Sequence, residues 1–160
     1  MNDYFTNLFA YERWANERIL LALQEPRYAD ERCLGLFSHI IAAQQTWLSR
    51  VLGQNRYVPL WERHDLMECA QLYRQAAQSW DRYLTNRTDA DFVELIAYRN
   101  TKGETYQTPL RDILAHLINH DTYHRGQIVE ELKIRKLVPV MPVTDYIVFV
   151  REVSDLKIRP

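Results

Sequence analysis

Apolar residues recur every three to four positions over four long stretches of the chain, the spacing of helices that bury one face. In the first stretch Tyr4, Leu8, Tyr11, Ala15, Ile19 and Ala22 share a face. Asn2 or Asp3 is placed to cap it, and Pro26 ends it after about Gln24. A second helix is expected from Asp30 to Gly53, a natural C-terminal stop. "QNRYVPLWERH" reads as a loop, after which Asp65 caps a third helix. Its series Leu66, Cys69, Ala70, Tyr73, Ala77, Trp80, Leu84 is the most regular amphipathic stripe in the chain.

The helical period then fails. "FVELIAY" alternates loosely, "NTKG" is a turn signal and "ETYQT" follows, so a short two-stranded hairpin or an irregular excursion is expected. Thr108 as cap, with Pro109 at the first helical position, starts a fourth helix that runs to about Lys136. After an extended "LVPVMPVTD", Thr144 or Asp145 is placed to cap a short fifth helix, "YIVFVREV", whose β-branched residues would equally suit a strand. Together these elements predict an all-α fold with one domain over residues 1–160. It would be an up-and-down four-helix bundle with a short fifth helix at the C-terminus and a small hairpin or irregular excursion between helices three and four.

Composition removes several function classes. The 20 basic and 21 acidic residues are interspersed, with no basic patch for nucleic acid. No apolar run approaches the ~20 residues of a membrane span. The N-terminus lacks a basic region followed by an apolar stretch and a cleavage site, so a mature cytoplasmic protein is expected. Four glycines leave no phosphate-cradling loop, and two cysteines, Cys33 and Cys69, are expected as free buried thiols.

The candidate chemistry lies in "HLINHDTYHRGQ", which holds three of the five histidines at four-residue intervals. On a helical wheel Leu110, Ile113, Leu114, Leu117, Ile128 and Leu132 define an apolar stripe. His124 falls about 50° from its centre, His120 about 90° and His116 about 130°. Three residues at this spacing span about 12 Å of rise. A single ion with bonds near ~2.1 Å therefore reaches at most two of them. Asp121 falls almost on the stripe's centre, where a carboxylate needs a partner.

The second helix offers His39. If Ser38, Gln45 and Ser49 mark its wet side, Leu36, Ile40, Ala43 and Trp47 point inward, and His39 lies within about 70° of them. In an up-and-down bundle helices two and four run parallel. That puts His39 about 12–14 Å from the start of its helix and the midpoint of His120 and His124 about 20 Å from the start of theirs. On the residues alone, a metal site and a set of hydrogen-bonded core histidines are evenly matched.

"HLINHDTYHRGQI" resembles the signature of the DinB/YfiT-like superfamily, "LFSHIIAAQQTWL" its second helix and "YERWANERILLAL" its first. The resemblance covers nearly the whole chain. It implies a four-helix bundle, commonly a homodimer, that binds one divalent transition metal through His39, His120 and His124. It also implies chemistry of two kinds, thiol S-transfer with a low-molecular-weight thiol such as bacillithiol or mycothiol, or metal-dependent hydrolysis or isomerisation. Many members have no established activity, so a non-catalytic stress or accessory protein with a structural metal stands as the alternative.

Three neutral imidazoles leave a divalent ion its full charge and open positions, which favour the deprotonated form of a bound water or thiol. Zinc and nickel head the candidates, with iron and manganese behind them. Asn16, Gln44 and Gln127 are candidate acceptors for the second ring nitrogens. Trp14, Trp47 and Tyr123 are either pocket walls or core. Arg125 reads as a surface or ion-pairing residue and His64 as solvated. Gly126 marks either a close helix approach or a kink. Leu34, Ile41 and Leu48, spaced by seven, form a seam that needs a partner, either a neighbouring or the fifth helix of the same chain or, the favoured reading, a second copy in a two-fold dimer.

Overall fold

The structure, a computed structural model, describes residues 1–24, 30–54 and 56–153. It contains α1 (Asn2–Leu23), α2 (Glu31–Val51), α3 (Leu66–Thr85), β1 (Leu95–Arg99), β2 (Thr105–Pro109), α4 (Leu110–Ile134) and α5 (Tyr146–Val153), with one 3-10 turn at Asp91–Val93. The fold is therefore mostly helical with one two-stranded sheet. Among the described residues no helix is long and apolar enough to cross a membrane. The expected stop at Pro26 lies outside the described residues.

Local chemistry accounts for most element ends. The Asp30 side chain accepts from the backbone N–H groups of Arg32 and Cys33, and Asp65 forms a reciprocal capping box with Glu68. Gly53 takes a positive φ of 67° just past α2. Two expected caps differ. Met1 precedes α1 with no side-chain cap, and Asn2 is already helical, its amide donating to the Arg87 carbonyl. Thr108 belongs to β2, opposite Ile96, and its hydroxyl meets Tyr98. Pro109 ends that strand and itself caps α4, because the hairpin ladder extends to the pair Leu95–Pro109.

The helix order is not up-and-down. Along α2 and α4, Arg32 pairs with Glu131, Gln44 bonds Asp121 and Trp47 faces His116, so the two helices run antiparallel. His39 then lies 12 residues before the end of α2 and the midpoint of His120 and His124 lies 12 residues after the start of α4. Both are about 18 Å along their helices, and the depth mismatch of a parallel arrangement disappears. By contrast α2 and α3 run parallel. Ser38 meets Cys69 near their starts, and Ser49 shares a cavity wall with Gln75 and Ser79 further on. α1 packs against α3 and α4.

Parallel neighbours require a long return. α2 is about 31 Å long, and the chain from 52 to 65 can span up to about 45 Å. It runs back along α2, with the Arg56 N–H donating to Ser49 Oγ and the His64 N–H to Ser38 Oγ. This loop covers the side of α2 expected to be wet: Ser38 and Ser49 are both buried. A strong polar signal came from hydroxyls reserved for the loop backbone.

The inward face of α1 holds Tyr11, Ala15 and Ile19 as expected but is wider and shifted at its start. Tyr4 is 61% exposed, while Phe5, Phe9, Glu12, Asn16, Ile19 and Leu23 are buried. The seam of α2 finds its cover within the chain. Leu34 and Ile41 lie in the core with Phe37, Tyr73 and Ile128, and Leu48 packs beside Trp80 and Leu114. That seam therefore does not call for a second copy. Cys33 and Cys69 are free and buried.

Candidate metal centre

α2 contributes His39 and α4 contributes His120 and His124, one turn apart. One ligating atom from each lies within 4.8 Å of the others, a group that could hold a metal ion. The ring centroids are 4.5 to 5.0 Å apart. His116 is left outside: it is exposed and sits edge-on to Trp47. The inward order read from the wheel, with His124 deepest and His116 outermost, matches these positions.

The hydrogen bonds fix which nitrogen each ring presents. His39 Nδ1 donates to the Leu60 carbonyl at 2.8 Å, and His124 Nδ1 to Gln127 Oε1 at 2.8 Å. His120 Nδ1 faces Asp121 Oδ1 at 3.3 Å. With an oxygen acceptor at every Nδ1, the protons belong there and the lone pairs at Nε2. Two of these lone-pair nitrogens, on His39 and His120, stand 3.1 Å apart. Such a contact has no proton to bridge it when both rings are neutral Nδ1–H tautomers, and a cation relieves it. The donor set therefore fits a divalent ion.

Burial lowers the pKa of all three imidazoles, and their mutual proximity adds to the effect at His39 and His124. Neutral rings are the form a metal requires. The return loop matters here as well, because Leu60 supplies the acceptor and Trp61 stacks flat on His39 with centroids 3.8 Å apart. Neither was foreseen, since the backbone carbonyl of a loop leaves no mark in the sequence. Of the expected acceptors, Gln127 does serve a ligand ring. Gln44 acts one step removed, donating to Asp121 at 2.6 Å, and Asn16 turns to Tyr73.

Asp121 joins the site to a buried polar cluster. Arg125 makes a two-pronged ion pair with Glu12 and also donates to Tyr11 and Thr122. Arg125, Glu12, Asn16 and Asp121 are all buried, with Asp121 at 0% exposure. Burial raises the Asp121 carboxyl to about 6 and the Glu12 carboxyl to about 8, with one guanidinium opposing the rise. Arg125 is thus an ion-pairing residue of the interior, with nothing of the surface about it. Glu12 went unnoticed in the sequence, and Asn16, expected to serve a ligand ring, bonds Tyr73 and Arg125 instead. The available signal was a polar i, i+4 pair lying in register between Phe5, Phe9 and Ile19, Leu23.

Trp14 packs on Phe149 of α5, and Tyr123 is exposed with its ring edge-on to His124. His64 is half-buried near Glu68. A Cβ added to Gly126 would meet nothing within 4 Å, so no close helix approach explains that glycine.

An all-α chain with histidines from its second and fourth helices converging on one point is the arrangement the HRGQ motif implies. Residues 1–148 match the model of the DinB family, and the chain belongs to that family. It is similar to Protein DinB of Bacillus subtilis (strain 168), at 23% identity over 151 residues that cover 83% of this chain and 87% of the relative.

Proposed function

We propose that this chain is a divalent-metal-dependent enzyme that directs an external nucleophile, a low-molecular-weight thiol or water, onto a small electrophilic substrate. The observation that carries this reading is the convergence of three Nε2 lone pairs, each set by an oxygen at the opposite ring nitrogen. When bound there, a divalent cation lowers the pKa of a coordinated thiol or water and so supplies the nucleophile at neutral pH.

The chain's residues do the rest. His39, His120 and His124 hold the cation from two helices, and Leu60, Asp121 and Gln127 orient the rings. Trp61 screens one side of His39 from water. The chain offers no competing thiol: Cys33 and Cys69 are buried, and burial pushes both up, Cys33 to about 11. The nucleophile must therefore arrive with the substrate or from solvent. Zinc and nickel are the favoured ions. Cytoplasmic location belongs to the proposal, as does a homodimer, which rests on the family resemblance alone.

The test is a conjugation assay with bacillithiol, mycothiol and simple thiols against a panel of electrophiles and esters, using untagged protein. Turnover that is lost with chelator and restored by one equivalent of metal supports the reading. No turnover across the panel, with full metal occupancy, contradicts it. A second reading has an observation of its own: the cluster bridges α2 and α4, so a cation there would also staple two helices. A metal that raises the melting temperature while no substrate is turned over favours that structural role.

A further inference from the structure

His39, Thr46 and Arg50 stand in one line on α2. Their spacings of seven and four residues keep them within about 40° of one another, with Thr46 about 10 Å and Arg50 about 16 Å along the helix from His39. Beside this line lies a cavity of about 340 Å3. Its walls include Thr46 and Arg50 from α2, Arg56 and Leu60 from the return loop, and Arg99 from the end of β1. Leu60 belongs to both places, since its carbonyl is the acceptor for His39 Nδ1.

Three arginines line this cavity, and among the described residues none of the three is in an ion pair, unlike Arg32, Arg125 and Arg135. Arg50 is partly desolvated, yet it is held over Trp47 at 4.4 Å and Tyr98 at 4.9 Å. Those ring contacts fix a guanidinium in place without neutralising it. A second observation is independent of charge. The hydroxyls of Ser38, Ser79 and Thr85 each bond the carbonyl one turn back, the usual recourse of a helical hydroxyl. Thr46 Oγ1 does not: it is buried and has no hydrogen-bond partner.

We propose that this cavity binds an oxyanion, a carboxylate or phosphate group carried by the small-molecule substrate, and sets the substrate's reactive end about 10 Å away at the histidine cluster. Guanidinium forks match both groups by paired N–H···O bonds. The cavity is of a size to hold one end of such a molecule. The link to the histidines rests on the function proposed above; the anion site itself does not. It predicts that substrates bear a negative charge remote from the reacting atom and that uncharged analogues bind weakly.

The experiment is calorimetric titration of untagged, metal-free protein with inorganic phosphate and, separately, with malonate, repeated after loading with one equivalent of zinc. Saturable binding of at least one anion is expected in the metal-free protein. Arg56→Gln/Arg99→Gln, at two exposed positions, should raise its Kd at least tenfold, while Arg82→Gln, outside the cavity, leaves it unchanged. Tighter phosphate binding assigns phosphate esters, and tighter malonate binding assigns carboxylates. Absence of saturable binding, equal affinity in the double variant, or binding that appears only with zinc and ignores the arginines would each overturn the proposal. Zinc titration of the same double variant should match the wild type, so a failure of the histidine centre shows up separately from a failure of this site.

Discussion

Two polar clusters share the same turns of α4 and differ in how completely they are satisfied. Asp121 and Arg125 face α1 and α2, where Glu12, Asn16, Tyr11 and Gln44 meet their hydrogen-bonding groups, and Thr122 on α4 itself accepts from Arg125. His120 and His124 face His39 and the return loop with one nitrogen of each ring satisfied and the other presented to a common point. A closed network stabilises a fold and has nothing left to offer a ligand. A network that presents three imidazoles to one point could hold a cation. Burial acts on the two in opposite directions, lifting the carboxyls and depressing the imidazoles, so each cluster moves toward its neutral form.

Breaking the closed cluster should have the largest effect on stability. At pH 9, above the raised Glu12 value of about 8, Arg125→Met leaves Glu12 buried without its partner and should cost about 3–5 kcal/mol, read by denaturant unfolding of metal-free protein. A loss under about 1 kcal/mol would mean that water reaches the pair. The open cluster should respond in the reverse way. His120→Ala should weaken metal binding by at least about 100-fold, because a ligand loss should exceed the 10–100-fold typical of outer-shell partners. The unfolding free energy of the metal-free protein should change little.

The pH dependence sharpens the contrast. Glu12, raised to about 8, keeps its proton in the folded chain where the unfolded chain has lost it. The folded state therefore binds more protons, and stability falls as pH rises through that window. The depressed imidazoles act with opposite sign, but only below their ordinary value of 6.5. Between pH 6.5 and 8 metal-free protein should thus lose stability as pH rises, and Glu12→Gln should flatten the slope. Rising stability over that interval would show that Glu12 is ionised throughout.

Smaller effects follow at the edges. Gln127→Ala removes the acceptor that orients His124 and should weaken metal binding about tenfold with no change in stoichiometry. Gly126→Ala, in open space within α4, should stabilise the fold by about 0.5–1 kcal/mol. Melting curves and metal titrations separate the two.

The sequence showed the helices, the caps at Asp30 and Asp65 and the three histidines, because each leaves a local mark: a period, a side chain at a boundary, a spacing of four. The helix order was hidden because nothing local distinguishes a loop that turns back at once from one that runs the length of a helix. That single difference buried Ser38 and Ser49, made α2 and α4 antiparallel, and brought Leu60 and Trp61 to His39. The ion pair of Glu12 and Arg125 was hidden for another reason. A charged residue on a helix reads as solvated unless its partner, 113 positions away, is known to face it.

The proposed activity depends on whether one cation is held jointly from two helices. The direct measurement is a metal titration of untagged protein alongside His39→Ala, His120→Ala, His124→Ala and His116→Ala. One equivalent of zinc or nickel per chain should bind to the wild type and to His116→Ala, with tight binding lost in each of the other three. Uptake well below one equivalent in the wild type, or unchanged binding in His39→Ala, would contradict the account.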